Sequence, residues 1–399
     1  MADLISHRGN VLGGALLVAG TTIGAGMLGI PLVTGLAGFL PALTLTLACW
    51  AYMVCTGLLY MEATLWLPDG ANMISISKRL LGRFGEWTGG ICFVFLYYCF
   101  LVAYFAGGAP VLSQVLHSAA GVVIDEWVGL SLLVVIFGAV VYLGTWVSDR
   151  LNFILMIGLV GSYVGLLGLG SGSVSLPQLQ RSDWSPILLA APILFGAFGY
   201  HNIIPTLCTY LGRDVQKMRW TIILGATLPL LIYVIWQWLA IGAIPSDALR
   251  LAHQEGVPAT ELFEGVTGSR WVGLMAHGFA FFALITSIIG VALSMVDFLG
   301  DGLKISRRGW GRLLLCLLVF LPPALIASLH PGLFLLALGL AGGFGEAITN
   351  GLLPILMVWR GSKKGFVVKT RCMSSRLLLS LLLLSTLVVI VVEATALLR

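Results

Sequence analysis

The sequence predicts an all-α polytopic membrane protein with eleven transmembrane helices, and two observations carry that prediction. Hydrophobic residues make up 59% of the 399-residue chain and charged residues only 10%, which leaves too little charge to cover a soluble surface. Eleven apolar runs also approach the roughly 20 residues that a helix needs to cross a bilayer. The predicted spans are 10–36, 38–66, 88–116, 127–146, 151–170, 186–210, 219–244, 271–299, 312–328, 332–358 and 377–398.

The basic residues predict how these spans are oriented. The N-terminal stretch and alternate loops hold 18 of the 22 Lys and Arg residues, and the other four are Arg181, Arg250, Arg270 and Arg399. Because cytoplasmic loops are rich in Lys and Arg, we expect a cytoplasmic N-terminus and a C-terminus on the periplasmic side after eleven crossings. The cytoplasmic loop 67–88 is predicted to contain a short surface helix, and the external loop 245–270 to be a solvated cap or thin gate.

The first span contains a cluster of helix-breaking residues in the middle of its apolar run. Gly20, Gly24, Gly26 and Gly29 precede Pro31 in the stretch AGTTIGAGMLGIP. Glycine tolerates non-helical backbone angles, and proline removes a backbone donor. Such a break is tolerated in lipid only where the freed N–H and C=O groups face protein, water or a ligand. We therefore predict that helix 1 is broken; the alternative is that the glycines only allow close helix packing.

A second break is predicted in the sixth span, at Phe195–Pro205 (FGAFGYHNIIP), where Gly196 and Gly199 precede a proline. Paired Gly/Pro-interrupted spans in corresponding positions of two halves point to the midplane binding site of a transporter. The sequence contains no GxxxxGK[ST], GxSxG or HExxH motif, so transport is expected to use an ion gradient. Its seven cysteines form no CxxC pair, which favours buried thiols over disulfides or zinc. No cofactor and no nucleic-acid partner are expected.

The broken first helix offers a backbone clamp for a zwitterion. The start of its outer half presents N–H groups that suit a carboxylate, and the end of its inner half presents carbonyls that suit an ammonium group or a cation. An amino acid carries both charges on one carbon. The residues predicted to form this clamp are Thr21, Thr22, Ile23, Gly24, Ala25, Gly26 and Met27.

The second break carries aromatic residues that predict a pocket for a flat apolar side chain. They are Phe195, Phe198, Tyr200 and His201, beside Gly199. His201 is either a buried neutral ring or a substrate contact and proton-linked switch. If that side chain is a phenol, at least one polar group should meet its hydroxyl, and the candidates are Tyr97, Tyr98, His201, Glu346 and Asn350.

Five other ionisable groups are predicted to lie within the spans, where charges are costly and mark function by default. Glu346 lies near the middle of the tenth span and is predicted to handle protons or set the polarity of the pocket. Glu62, Asp297 and Glu393 lie near span ends, where their side chains are expected to snorkel to the membrane surface or to pair with a loop. The fifth group is His277, in the eighth span. In the eighth span, the hydroxyls of Thr286 and Ser287 near the carbonyl of Ala283 are hard ligands for a small cation, although such hydroxyls also bond to their own helix.

The two break motifs, with LPLLIYVIWQ (228–237) and ITSIIGVALSMVDFLGD (285–301), resemble the bacterial hydroxy/aromatic amino acid permease family of the amino acid–polyamine–cation superfamily. The sequence is most similar to the tyrosine-specific members and next to the tryptophan permeases. The resemblance implies a LeuT-like fold in one transporter domain, 1–399. Two inverted five-helix repeats would span about 10–170 and 186–358, with broken helices 1 and 6 and an extra helix at 377–398.

The resemblance also implies a function: symport of an aromatic amino acid, L-tyrosine before L-tryptophan, across the bacterial inner membrane, normally with protons. In sodium-coupled members of the superfamily, positions matching Gly20, Ile23, Ala283, Thr286 and Ser287 form a sodium site. Relatives often carry a lysine in the fifth span, whereas this sequence has Met156 there, so sodium stays open as the coupling ion. A channel or an intramembrane enzyme would require a polar pore ring or a catalytic constellation, and neither pattern is evident.

Overall fold

The computed structural model describes residues 9–330, 332–370 and 375–398, and within these ranges every regular element is helical. Arg399 and the seventh cysteine, Cys372, fall outside them. The described residues form eleven candidate membrane spans when one bent helix pair is counted as a single span. The predicted all-α membrane fold is therefore confirmed.

The spans are numbered 1 to 11 in chain order. They are Val11–Thr22 with Gly26–Thr34, Phe39–Leu65, Arg83–Ala120, Glu126–Leu143, Thr145–Gly170, Ala191–Ala197 with Ile204–Tyr210, Val215–Ala243, Arg270–Leu303, Gly309–Leu329, Phe334–Lys363 and Arg376–Leu397. Several run past the predicted bounds: span 3 extends beyond 88–116 at both ends, because Gly82 and Gly121, both at positive φ, set its limits.

Span 1 is broken where the sequence predicts. Its first half ends at Thr22, its second half begins at Gly26, and the two halves meet at 64°. Ile23 has extended backbone angles (φ −74°, ψ 110°), which end the first half. Pro31 lies inside the second half rather than in the break.

Span 6 is broken as predicted too. Its first half ends at Ala197, and Phe198 and Tyr200 leave helical geometry. The chain then makes one 3₁₀ turn, His201–Ile203, before the second half begins at Ile204.

The remaining spans pack around these two breaks. The first half of span 1 lies against span 7, and its second half lies against the first half of span 6. Span 8 packs against spans 3 and 5, and span 10 packs against the first half of span 6 and span 3. The middle of span 10, Ala341–Leu352, is a π-helix, which the sequence analysis did not predict and which is a form frequent at functional sites.

Short helices lie at both ends of the bundle. The predicted surface helix is present at Met73–Leu81 and begins with a capping box between Asn72 and Ser75. The segment predicted as a solvated cap instead folds as Ser246–Glu255, Ala259–Leu262 and Phe263–Thr267, with Leu249 and Phe263 fully buried. Its apolar residues pack onto the second half of span 1, so the segment is folded and only partly solvated, and its role as a cap or thin gate stays a prediction.

The charged residues predicted at span ends have different environments. Glu62 accepts hydrogen bonds from the N–H groups of Lys369 and Thr370, each at 2.9 Å. Asp297 pairs with Arg307 at 3.3 Å. Glu393 is buried and lies against Gly339 and Gly343 of span 10. Pairing with a loop is thus confirmed for Glu62 and Asp297.

Candidate functional site

A cavity of about 450 Å³ lies where the two breaks meet. Its size falls within the range of small-molecule sites. Both breaks line it, together with spans 3, 5, 8 and 10. The lining residues that are also named in the sequence prediction are Gly20, Thr21, Thr22, Ile23, Gly24, Gly26, Tyr97, Met156, Gly196, Gly199, Thr286, Ser287, Glu346 and Asn350.

Span 8 holds the break of span 1 from one side. The hydroxyl oxygen of Ser287 accepts the N–H of Ala25 at 2.9 Å, and a Cβ on Gly24 would lie 2.5 Å from that oxygen. Gly26 begins the second half-helix and lines the cavity. Because first-turn N–H groups have no partner within their own helix, this end offers donors to an anion in the cavity.

Span 7 holds both breaks from the other side. The Tyr233 hydroxyl lies 2.8 Å from the carbonyl oxygen of Thr22 and 2.8 Å from that of Ala197. One turn later, the indole N–H of Trp236 donates to the carbonyl of Met27 at 3.0 Å. Neither residue was predicted from the sequence to hold the breaks. The available signal was a pair of aromatic residues with polar tips, three positions apart in an apolar span, since buried Tyr and Trp usually need a partner.

Span 3 supplies the aromatic wall of the cavity. Phe93, Tyr97, Phe100 and Tyr104 line it, and their spacing of three to four residues places them on one face of the helix. Phe93 and Tyr97 stack with ring centroids 4.1 Å apart. Of these four, the sequence analysis named only Tyr97.

The aromatic residues of the second break do not line the cavity, so their predicted placement was wrong. Phe195 stacks on Tyr52 of span 2 at 4.6 Å, and Phe198 meets Tyr233 edge-on at 5.0 Å. The Tyr200 hydroxyl donates to the carbonyl of Met53. The physical reason is that the non-helical backbone at the break changes the direction of these side chains. They therefore pack against spans 2 and 7 instead of lining the cavity.

His201 of the second break and three further predicted residues, Ala25, Met27 and Tyr98, also lie outside the cavity. His201 is fully buried, with Nε2 3.0 Å from the Thr56 hydroxyl. Ala25 and Met27 are buried as well, and they contribute backbone groups to Ser287 and Trp236. Tyr98, a candidate for a phenol contact, donates instead to the carbonyl of Leu318.

Two hydrogen-bonded polar pairs, Glu346 with Asn350 and Tyr97 with Asn202, lie in the cavity wall. Glu346 extends from the π-helix over Gly199, where an added Cβ would meet its carboxylate, and it accepts a short hydrogen bond from Asn350. Asn202 donates to the Tyr97 hydroxyl at 3.2 Å. Among the described residues that line the cavity, Glu346 is the one with a carboxylate, and none is basic.

The predicted cation residues are brought together only in part. Gly20, Ile23, Thr286 and Ser287 line the cavity, whereas Ala283 is buried outside it. The Thr286 hydroxyl donates to the carbonyls of Phe282 and Ala283 in its own helix. The Asn152 side-chain oxygen, beside Met156, is buried without a hydrogen-bond partner. Within the described residues, no cluster of three or more His, Cys, Asp or Glu side chains could hold a metal ion.

Comparison with known proteins identifies the family to which the chain belongs. The model of the tryptophan/tyrosine permease family matches residues 7–393. The chain belongs to that family. It is 32% identical to tyrosine-specific transport system 1 of Haemophilus influenzae over 88% of both chains. It is 29% identical to a tryptophan-specific transport protein of Pseudomonas aeruginosa over 92% of this chain and 89% of that protein. The predicted family resemblance is confirmed.

The fold of the chain is also similar to that of a protein whose structure has been solved. The chain is similar to a manganese transporter of Eremococcus coleocola, crystallised in a mutant form, with a TM-score of 0.62. The match covers 96% of this chain and 85% of that one at 14% identity, so it concerns the fold alone. The fold is LeuT-like, as the resemblance implied; the bounds of the two repeats stay a prediction.

Proposed function

We propose that this permease imports an aromatic amino acid, L-tyrosine before L-tryptophan, across the bacterial cytoplasmic membrane, by symport with a cation. The observation that carries the proposal is the cavity itself, in which two broken helices meet a wall of four aromatic rings. The half-helix ends match a zwitterionic amino acid, and the wall matches its ring. The names of the relatives, tyrosine-specific and tryptophan-specific, support this class of substrate.

In the proposed pose, the substrate carboxylate meets the N–H groups of Gly24 and Gly26, since the start of a helix stabilises an anion, while the N–H of Ala25 stays bonded to Ser287. The ammonium group meets carbonyl oxygens at the end of the first half of span 1. Tyr233 already contacts the Thr22 carbonyl, but a carbonyl oxygen has a second lone pair. The ring then lies against Phe100 and Tyr104, and a phenol hydroxyl reaches the pair formed by Tyr97 and Asn202.

The orientation proposed from the basic loops makes this an inward-facing state. Leu16, Leu17 and Met73 line the cavity at the end of the bundle that carries the basic loops, and Leu16 and Leu17 are 57% and 51% exposed. Towards the opposite end, Trp236, Phe263 and Phe279 are buried and in ring contact. The helices between Ser246 and Thr267 would then act as the external gate.

We propose the proton as the coupling ion. Glu346 supports this choice because it is a buried carboxylate on the cavity wall, hydrogen-bonded to Asn350. His201 is the weaker candidate, since it lies outside the cavity. Sodium is the alternative, at Gly20, Ile23, Ala283, Thr286 and Ser287. The Thr286 hydroxyl donates its hydrogen to carbonyls of its own helix, and the lone pairs of its oxygen would be the ligands of the ion.

The test is uptake of labelled L-tyrosine into proteoliposomes with imposed gradients. Accumulation that needs an inward proton gradient and proceeds without sodium is the expected result. Unlabelled tyrosine, tryptophan and phenylalanine then compete in sodium buffer and in sodium-free buffer. Downhill flux without accumulation would indicate a channel, and stronger competition by tryptophan than by tyrosine would reverse the proposed preference.

A phenol contact adds a sharper test of the substrate. Sites built to hydrogen-bond a substrate hydroxyl reject the analogue that lacks it by a large factor. We expect phenylalanine to compete poorly, and Asn202→Leu to narrow the gap between tyrosine and phenylalanine. Tyr98→Phe is the control, because the Tyr98 hydroxyl bonds to span 9 outside the cavity. Equal competition by both amino acids in the unchanged protein would refute the hydroxyl contact.

A further inference from the structure

A second cavity, which we call the lateral groove, lies on the outer flank of the bundle. It has a volume of about 930 Å³ and is formed by span 3, the end of span 8 and the short helix Met73–Leu81. Trp87 and Ile91, which line it, are each 63% exposed. In a membrane protein, a face of this kind on a spanning helix is turned towards lipid.

The chemistry of the lateral groove changes along its length. Near the start of span 3 its rim is charged and holds Lys78, Arg83 and Glu86, while its floor is apolar and includes Val94, Phe95 and Leu299. Lys78 pairs with Glu86 at 2.7 Å. Among the described residues, Arg83 has no ion-pair partner. The rim therefore carries one uncompensated positive charge.

The length and position of the groove match one leaflet of a bilayer. From Arg83 to Phe95 the helix rises about 18 Å, at about 1.5 Å per residue. Half of a hydrocarbon core is about 15 Å thick. The charged rim lies at the end with the basic loops, where Trp87 takes the interfacial position typical of tryptophan. We propose that the lateral groove binds an anionic phospholipid, with its phosphate at Arg83 and an acyl chain along span 3.

The wall of the groove is also the wall of the substrate cavity. Phe298 lines the groove and stacks on Phe93 with ring centroids 4.3 Å apart, and Phe93 stacks in turn on Tyr97 in the cavity. Met73 lines the cavity while the next residue, Ile74, lines the groove. A bound acyl chain therefore supports the stacked rings from behind and stabilises this arrangement of the cavity.

Two glycines allow the groove to be filled without disturbing the packing of the protein. A Cβ added to Gly90 or to Gly302 would meet no atom within 4 Å, and both residues line the groove. Leucine is also a better helix former than glycine. Gly90→Leu should therefore fold and occupy the path of the acyl chain. Gly161→Leu is the matched control, since Gly161 is exposed on span 5, away from the groove, and has the same open space.

The experiment measures lipid binding by the purified full-length protein in detergent, without substrate. Phosphatidylglycerol is the anionic probe, phosphatidylcholine the zwitterionic one, and inorganic phosphate tests the headgroup charge alone. We expect phosphatidylglycerol to raise the melting temperature, because a ligand that binds only the folded state stabilises it. Native mass spectrometry should detect one retained lipid per chain. Phosphatidylcholine should act only at higher concentration, and phosphate should have no effect.

Three variants test whether the rise in melting temperature is caused by phosphatidylglycerol binding in the lateral groove. Arg83→Gln should weaken phosphatidylglycerol binding about tenfold, the scale of a hydrogen bond to a charged group. Gly90→Leu should abolish the thermal shift, and Gly161→Leu should retain it. Equal shifts from both phospholipids, or a shift that survives Gly90→Leu, would overturn the proposal. A phosphate effect lost in Arg83→Gln would assign the site to a free anion, and a dimer lost in Gly90→Leu would assign the groove to a second copy of the chain.

Discussion

The hydroxyl of Tyr233 lies 2.8 Å from the carbonyl oxygens of both Thr22 and Ala197. Each carbonyl belongs to the last residue of a half-helix, one in span 1 and one in span 6. One side chain of span 7 therefore ties the two breaks together. Carbonyls at the end of a helix have no partner within it, so this contact also partly satisfies groups that the breaks expose.

We predict that Tyr233→Phe keeps the fold but lowers the uptake rate by up to about tenfold, because a hydrogen bond typically contributes about 0.5–1.5 kcal/mol. The phenyl ring keeps its packing against Phe198 and loses only the hydroxyl. Tyr163→Phe is the control, since that hydroxyl donates to Ile232 at 2.9 Å, away from both breaks. Initial uptake rates at saturating substrate measure the difference, and equal rates in the two variants would contradict the role of Tyr233.

The proposed backbone clamp leads us to expect that alanine has different effects on substrate binding at two glycines of span 1. A Cβ on Gly26 would lie 3.2 Å from the Cα of Ala197, whereas a Cβ on Gly20 would meet nothing within 4 Å. Both residues line the cavity. We expect Gly26→Ala to weaken substrate binding about tenfold or more, because the crowded methyl group displaces the N–H of Gly26 and a hydrogen bond to a charged group contributes about 1.5–3 kcal/mol. Gly20→Ala should bind normally. Equilibrium binding of labelled tyrosine to purified protein checks this, and unchanged affinity in Gly26→Ala would remove the clamp from this position.

The fold and the two breaks could be predicted because their signals are local. The number of apolar runs predicts the number of spans, and Gly24 and Gly26, in the middle of one run, predict where span 1 bends. The position of these glycines also predicts where the second half of span 1 begins, at Gly26. Membrane insertion strengthens these signals, because a break in lipid needs a specific partner for its backbone groups.

The side chains around the breaks could not be predicted in the same way. Phe195 stands beside a break, yet its ring points to span 2, while Phe100, far away in sequence, lines the cavity. Which face of a helix lines a cavity depends on how neighbouring spans pack, and a span surrounded by lipid and protein is apolar on every side. The π-helix that carries Glu346 leaves no comparable sequence signal.

The short helices between Ser246 and Thr267 should respond to pH through Glu261. Burial raises the pKa of the Glu261 carboxyl to about 7, and the carboxylate of Glu126 adds to the shift. One of its side-chain oxygens is buried without a hydrogen-bond partner. Because the pKa in the folded protein lies above the ordinary 4.5, the protonated form stabilises the segment. That stabilisation is complete below about pH 4.5 and is lost as the pH rises through about 7.

We therefore predict faster hydrogen exchange in Ser246–Thr267 at about pH 8 than at about pH 5.5, after correction for the intrinsic rate. Glu261→Gln, which is neutral at both values, should exchange slowly at each. Glu255→Gln is the control, because Glu255 is exposed at the end of the first helix of the same segment. A pH response that persists in Glu261→Gln would assign it to another group.

The last prediction concerns coupling through Glu346. If this carboxylate carries the transported proton, Glu346→Gln should lose most accumulation against a gradient and keep counterflow exchange, which needs no net proton movement. Glutamine has nearly the same shape and can keep a partner in Asn350, so the cavity should survive the change. Glu393→Gln is the matched control, since Glu393 is a buried carboxylate beside the same π-helix but is not among the described lining residues. Accumulation and exchange are measured in the same proteoliposomes at constant pH, with and without sodium. Full dependence on sodium, with Glu346→Gln unaffected, would instead assign coupling to the residues around Thr286 and Ser287.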